Sequence, residues 1–104
     1  MNERYEVKIY VGAEFDRNND KLTDVTAKIE TARNLLTRMF DAVSIYEHSG
    51  AWGSPAVVEK GITFVLVLDS AEVPNVPVAA WQVRDIFNQT CVLVTKTRVE
   101  SEFI

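Results

Sequence analysis

The stretch Ile62-Thr63-Phe64-Val65-Leu66-Val67-Leu68 decides the predicted fold, because it is apolar on both alternating faces except at Thr63. Successive side chains of a strand point to opposite sides of a sheet. A strand whose two faces are both apolar is typical of a central position. We therefore predict a central strand here, within a longer strand over 57–68 that has a break or bulge at Gly61.

The segments on either side predict three further strands and two helices. Apolar and polar residues alternate over 4–11 and 43–48, and 91–103 closes the chain as a strand. Helical spacing of apolar residues indicates a helix capped by Thr23, and Pro77 suits the first turn of a second helix. The order βαββαβ predicts an α+β, ferredoxin-like fold: a four-stranded antiparallel sheet with its first and third strands central and two helices on one face.

Length, charge and cysteine content limit the classes of protein to which this chain can belong. The 104 residues predict one domain spanning 1–104. A formal net charge of −4 argues against nucleic-acid binding, because nucleic-acid-binding proteins present basic patches to phosphate. The single cysteine, Cys91, excludes an intrachain disulfide and is expected to pack as a small hydrophobe.

The sequence has no pattern of a targeting or membrane segment. Residues 2–6 do not begin a basic and then apolar leader. No stretch approaches the roughly 18–20 apolar residues that a membrane span needs. We therefore expect a cytoplasmic protein with no membrane association.

Metal and cofactor sites are not expected. Asp16, Asn18 and Asp20 resemble the start of a calcium loop, but the sixth and twelfth positions are Lys21 and Ala27 rather than Gly and Glu. Asx turns explain these side chains better. One His and one Cys cannot fill a structural zinc site.

The sheet face opposite the helices, here called the open face, is the predicted working surface. Val65 and Val67 would form an apolar patch there that needs a partner, which favours a homodimer or a higher homo-oligomer. Our first hypothesis is a non-enzymatic binding module that holds a small polar or aromatic ligand, for example a nucleotide-like one, on this face and on the loop around Trp52. A phage-type protein that sequesters a nucleotide signal would fit this size and chemistry. The predicted ligand-binding residues are Lys8, Tyr10, Tyr46, His48, Trp52 and Lys60.

Two other functions remain open from the residues. Val78 and Trp81 are predicted on the solvent side of the second helix, where Trp is a frequent hot spot, so the chain could be a protein-interaction or inhibitor domain. Alternatively, it could be a small dimeric enzyme in which His48 transfers a proton and Glu59 on the next strand orients it.

Short segments along most of the chain give a resemblance to a known family. They are Ile9–Gly12, Phe40–Ile45, Gly50–Trp52, Val65–Leu68, and Ile86–Gln89 running into Val92–Val94. In these segments the chain resembles an uncharacterised bacterial family of small α+β domains. The resemblance implies that Tyr10, Gly50, Trp52 and Gln89 belong to a recurring architecture. It implies no activity and no catalytic residue.

Overall fold

The stretch that the sequence places at the centre of the sheet is central in the structure. The computed structural model describes residues 2–104, except for the side chains of Asn2 and Trp52. A single 3-10 turn, Val73–Asn75, precedes the second helix. The elements are β1 (Asn2–Gly12), α1 (Val25–Phe40), β2 (Ser44–Trp52), β3 (Val57–Leu68), α2 (Val76–Ile86) and β4 (Leu93–Ser101).

The sheet has the strand order β2-β3-β1-β4, and all neighbouring strands are antiparallel. β1 and β3 are therefore the central pair, and the predicted α+β, ferredoxin-like fold class is confirmed. The pairing runs without interruption through Gly61, which lies opposite Gly12 on one side and His48 on the other. The predicted break or bulge at Gly61 is wrong.

The core lies between the two helices and one face of the sheet. On β1 and β3, the fully buried side chains alternate with those of the open face, as the period of a strand requires. Phe64 packs against Phe87 at the end of α2, with 6.3 Å between ring centroids. The buried core side chains of these strands and helices include Val7, Ile9, Phe64, Leu66, Ala32, Leu36, Ala79 and Val83.

Two element boundaries differ from the predicted ones. The strand predicted over 43–48 continues to Trp52, because 49–52 pair with 57–60. The first helix is not capped by Thr23. Its N-cap is Asp24, at φ 53° and without a side-chain cap, since the preceding loop is held as far as Leu22, whose N–H donates to Glu14.

Within residues 2–104, neither helix has the length and apolar character to cross a membrane.

Candidate functional site

A cavity of about 570 Å³ opens at the end of the sheet where β1 ends and β4 begins. One wall is the β2–β3 hairpin, which projects beyond the other strands. The opposite walls are the 13–21 loop and the connector between α2 and β4. The lining includes Tyr10, Gly12, Glu59, Gln89, Cys91 and Leu93.

The two loops of the cavity are joined to each other by hydrogen bonds. Asp16 Oδ1 accepts the N–H groups of Asn18 (2.8 Å) and Asp20 (3.0 Å), so the predicted Asx turns are present. The N–H of Arg17 donates to the carbonyl of Asn88 at 2.8 Å. These bonds fix the 13–21 loop against the connector and give the cavity a defined wall.

Gln89 is held in one orientation by both hydrogens of its amide. Nε2 donates to the carbonyl oxygens of Phe15 (2.7 Å) and Phe87 (2.9 Å). Because both partners can only accept, the nitrogen and oxygen of the amide are assigned by the network itself. Oε1 is left to face Gly12, where it lies 2.9 Å from the point that a Cβ on that glycine would occupy.

Glu59 reaches the same point from β3. Its Oε1 lies 2.7 Å from the position of a Cβ on Gly12, so only glycine leaves room for both side chains. Burial raises the pKa of the Glu59 carboxyl, and the charge of Glu14 raises it further, while the backbone amide of Phe15 lowers it. Ionisation of Glu59 therefore costs the folded state stability as the pH rises from 4.5 through this raised pKa.

Next to the cavity, Tyr10 and His48 form an edge-to-face pair with 6.1 Å between ring centroids. His48 lies over Gly61, where a Cβ would come within 2.6 Å of its Cε1. Within the described residues, His48 Nε2 and Thr63 Oγ1 are buried without a hydrogen-bond partner. The open face thus contains two buried polar atoms that have no hydrogen-bond partner in the described part of the chain.

Four of the predicted ligand-binding residues lie on the open face, in two groups. Tyr10 lines the cavity, and His48 contacts Tyr10 from beside it. Lys8 and Tyr46 lie on the open face outside the cavity, and Lys8 forms an ion pair with Glu6 at 3.6 Å.

The predicted place of Lys60 on the open face is wrong. Lys60 is adjacent to Gly61 in the strand, so its side chain points to the other side of the sheet, where the helices lie. Its backbone N–H donates to Glu14 there. The prediction for Trp52 concerns a side chain that lies outside the described part of the chain.

The predicted interface residues lie on two different surfaces. Val65 is half-buried and Val67 is 49% exposed, both on the open face. Val78 and Trp81 are 46% and 59% exposed on α2.

Sequence reasoning missed several residues of the cavity. Gln89 enters the sequence analysis only through the family resemblance, and Gly12 only as the end of one segment of that resemblance. Cys91 is exposed and lines the cavity, so the prediction that it packs as a small hydrophobe is wrong. Within residues 2–104, no group of three or more His, Cys, Asp or Glu is placed to hold a metal ion.

Comparison with known proteins gives structural but not sequence relatives. No family model and no curated protein matches the sequence. A phage SAM lyase in complex with S-methyl-5′-thioadenosine superposes with a TM-score of 0.69 at 13% identity, over 97% of this chain and 92% of that one.

Two further solved structures are similar. The periplasmic divalent cation tolerance protein CutA from Archaeoglobus fulgidus has a TM-score of 0.67 at 10% identity, over 98% of this chain and 88% of CutA. CPII, a nitrogen regulatory PII-like protein from Thiomonas intermedia K12 bound to ADP, AMP and bicarbonate, has a TM-score of 0.60 at 14% identity, over 98% of both chains.

At these identities, the similarities establish the small α+β, ferredoxin-like fold alone. The resemblance to the uncharacterised bacterial family stays a prediction.

Proposed function

We propose that this chain is a small binding module that holds an adenine-nucleoside-type ligand in the cavity at the end of the open face. The observation that carries this proposal is the cavity itself. Its volume of about 570 Å³ falls within the roughly 300–1,000 Å³ of small-molecule sites. It combines apolar walls, such as Leu93, with a few oriented polar groups and the aromatic ring of Tyr10.

The arrangement of these groups suits a planar base joined to a sugar. Tyr10, steadied by His48, offers an aromatic surface on which a base can stack. Glu59 and Gln89, which lie next to Gly12, offer polar atoms to the sugar. The proteins with S-methyl-5′-thioadenosine and with ADP and AMP, which share this fold, both hold adenosine derivatives.

We also propose that the module is a homo-oligomer assembled through the open face. Val67, near the end of the central strand β3, is 49% exposed on that face, and Leu93, at the start of the edge strand β4, is 51% exposed. A second copy packed there would remove this apolar surface from water. Native mass spectrometry gives the number of subunits and of bound ligands together, and a protein that stays monomeric with ligand bound would contradict the assembly.

Cys91 provides a direct test of the ligand site, because it is the chain's only cysteine and lies exposed in the cavity. We expect S-methyl-5′-thioadenosine or adenosine to slow its modification by a thiol reagent several-fold. Saturation at about 100 times Kd should also stabilise the fold by about 2.7 kcal/mol. The two readouts are a labelling time course and a melting curve.

Trp81→Ala is the matched control for this experiment. It removes an exposed aromatic side chain that does not line the cavity. Trp81 and Cys91 line one neighbouring cleft, so labelling is compared with that of the same variant without ligand, and the fold-protection of Cys91 by ligand should be unchanged. If neither adenosine derivatives nor a wider metabolite panel protects Cys91 or raises Tm, the proposed function is wrong.

A second candidate is that the ligand is turned over in the same cavity. The observation that favours it is the partly buried Glu59 carboxyl, whose raised pKa brings it closer to the range useful for proton transfer, in a fold shared with a phage SAM lyase. Incubation with SAM tests this directly. Formation of S-methyl-5′-thioadenosine that is lost in Glu59→Ala would establish turnover, and intact SAM with a protected Cys91 would favour binding alone.

The third candidate is a protein-interaction domain that acts through α2. The exposure of Val78 and Trp81, at 46% and 59%, favours it. This candidate requires that Trp81→Ala destroy the function, whereas the nucleoside module requires that the variant keep it.

A further inference from the structure

Beside Gly12, the cavity has two side-chain oxygen atoms that accept hydrogen bonds. Gln89 Oε1 is committed as an acceptor because both hydrogens of its amide are used by Phe15 and Phe87. Glu59 Oε1 is an acceptor when ionised. Both atoms lie within 3.0 Å of one point above Gly12, at 2.9 and 2.7 Å, so they face the same small volume.

We infer that Glu59 and Gln89 form an acceptor pair that selects the vicinal hydroxyls of an unphosphorylated ribose. This inference rests on the proposed function and narrows it from nucleosides and nucleotides to nucleosides. A ribose diol has two O–H donors on adjacent carbons, which is the complement of two acceptors that converge on one point. A ligand without donors at that position would leave both oxygens desolvated and unpaired, which costs binding energy.

The charges around the cavity oppose a phosphate. Its charged lining side chains are Glu59, Asp16 and Arg17, and Glu14 stands close enough to Glu59 to act on its pKa. The one cation, Arg17, is exposed and lies 3.9 Å from Asp85. Lys8 and Lys60, predicted from the sequence to meet an anionic group, do not line the cavity. A phosphate ester would therefore meet more negative than positive charge.

Isothermal titration calorimetry with four ligands tests the inference. Adenosine and S-methyl-5′-thioadenosine should bind. AMP and 2′,3′-dideoxyadenosine should each bind about tenfold more weakly or worse, the first through charge repulsion and the second through loss of both donors.

Glu59→Gln and Glu14→Gln are the matched pair of variants for this experiment. Glu59→Gln keeps the shape of the side chain but replaces a charged acceptor, so adenosine should bind about tenfold more weakly. The affinity differences between adenosine and AMP, and between adenosine and dideoxyadenosine, should both shrink. Its Tm without ligand should be unchanged or higher, because the cost of ionising Glu59 is removed. Glu14→Gln changes a neighbouring carboxylate outside the cavity and should keep the preference for adenosine over dideoxyadenosine.

The outcomes separate this inference from the proposed function. If adenosine binds but AMP and dideoxyadenosine bind equally well, the acceptor pair does not select the diol, and the module itself stands. An unchanged ligand preference in Glu59→Gln would also overturn the inference. If none of the four ligands binds, the proposed function fails and the inference fails with it.

Discussion

Gly12→Ala is expected to reduce ligand affinity by about a hundredfold or more while the fold is retained. The new methyl group would lie 2.7 Å from Glu59 Oε1 and 2.9 Å from Gln89 Oε1, so both side chains must leave the positions that face the ligand. Gly53 is the only glycine with a positive φ in the described chain, which means that alanine can adopt the backbone conformation of Gly12. The displaced atoms are the ends of side chains rather than backbone.

The control is Gly61→Ala, on the neighbouring strand directly opposite Gly12. It adds the same methyl group on the same face, but there it displaces the ring of His48, whose Cε1 would be 2.6 Å away. Because His48 supports Tyr10 and does not line the cavity, affinity should fall by less than in Gly12→Ala. Calorimetry and circular dichroism on both variants decide the question. Equal ligand affinity in Gly12→Ala and the unmodified chain would show that the ligand does not occupy this site.

Phe87→Ala is expected to have the largest effect on stability, a loss of about 3–5 kcal/mol. Phe87 is completely buried, packs on Phe64 of the central strand and follows the last residue of α2. Its carbonyl also accepts one of the two hydrogen bonds that orient Gln89. The truncation leaves a cavity in the core and loosens the corner that holds the acceptor pair, so affinity should fall together with stability.

Denaturant unfolding measures this effect, with Phe103→Ala as the control. Phe103 is 95% exposed near the C-terminal end, so the same truncation should change stability by no more than about 0.5 kcal/mol. A total stability of about 5–15 kcal/mol is typical of small domains, so Phe87→Ala would remove a large share. Similar unfolding free energies for the two variants would contradict the packing described for the corner between α2 and β4.

The sheet and its two faces could be predicted from the sequence because strand parity is local. Alternation on β1 and on β2 is enough to put Tyr10, Tyr46 and His48 on one face, and the two-sided apolar run of β3 places that strand between them. The predicted face of Lys60 is wrong, because the side to which a residue before Gly61 points depends on whether β3 continues through that glycine. The uninterrupted pairing through Gly61 keeps Lys60 on the helix side.

The cavity could not be predicted, because it depends on contacts between segments distant in sequence. Gln89 faces Gly12 only because its amide bonds to Phe15, 74 positions away. The wall formed by the β2–β3 hairpin exists because 49–52 pair with 57–60, beyond the residues whose alternation predicts the second strand. Neither contact has a pattern in residue spacing that a single sequence displays.

Amide chemical-shift mapping tests the central claim most directly, namely that a nucleoside binds at the end of the open face. Protein labelled with ¹⁵N would be titrated with S-methyl-5′-thioadenosine and followed by two-dimensional NMR. We expect the largest shifts at residues around the cavity: Tyr10, Gly12, Phe15, Glu59, Gln89 and Cys91. Shifts confined to α2 around Val78 and Trp81, or no shifts at saturating ligand, would contradict the claim.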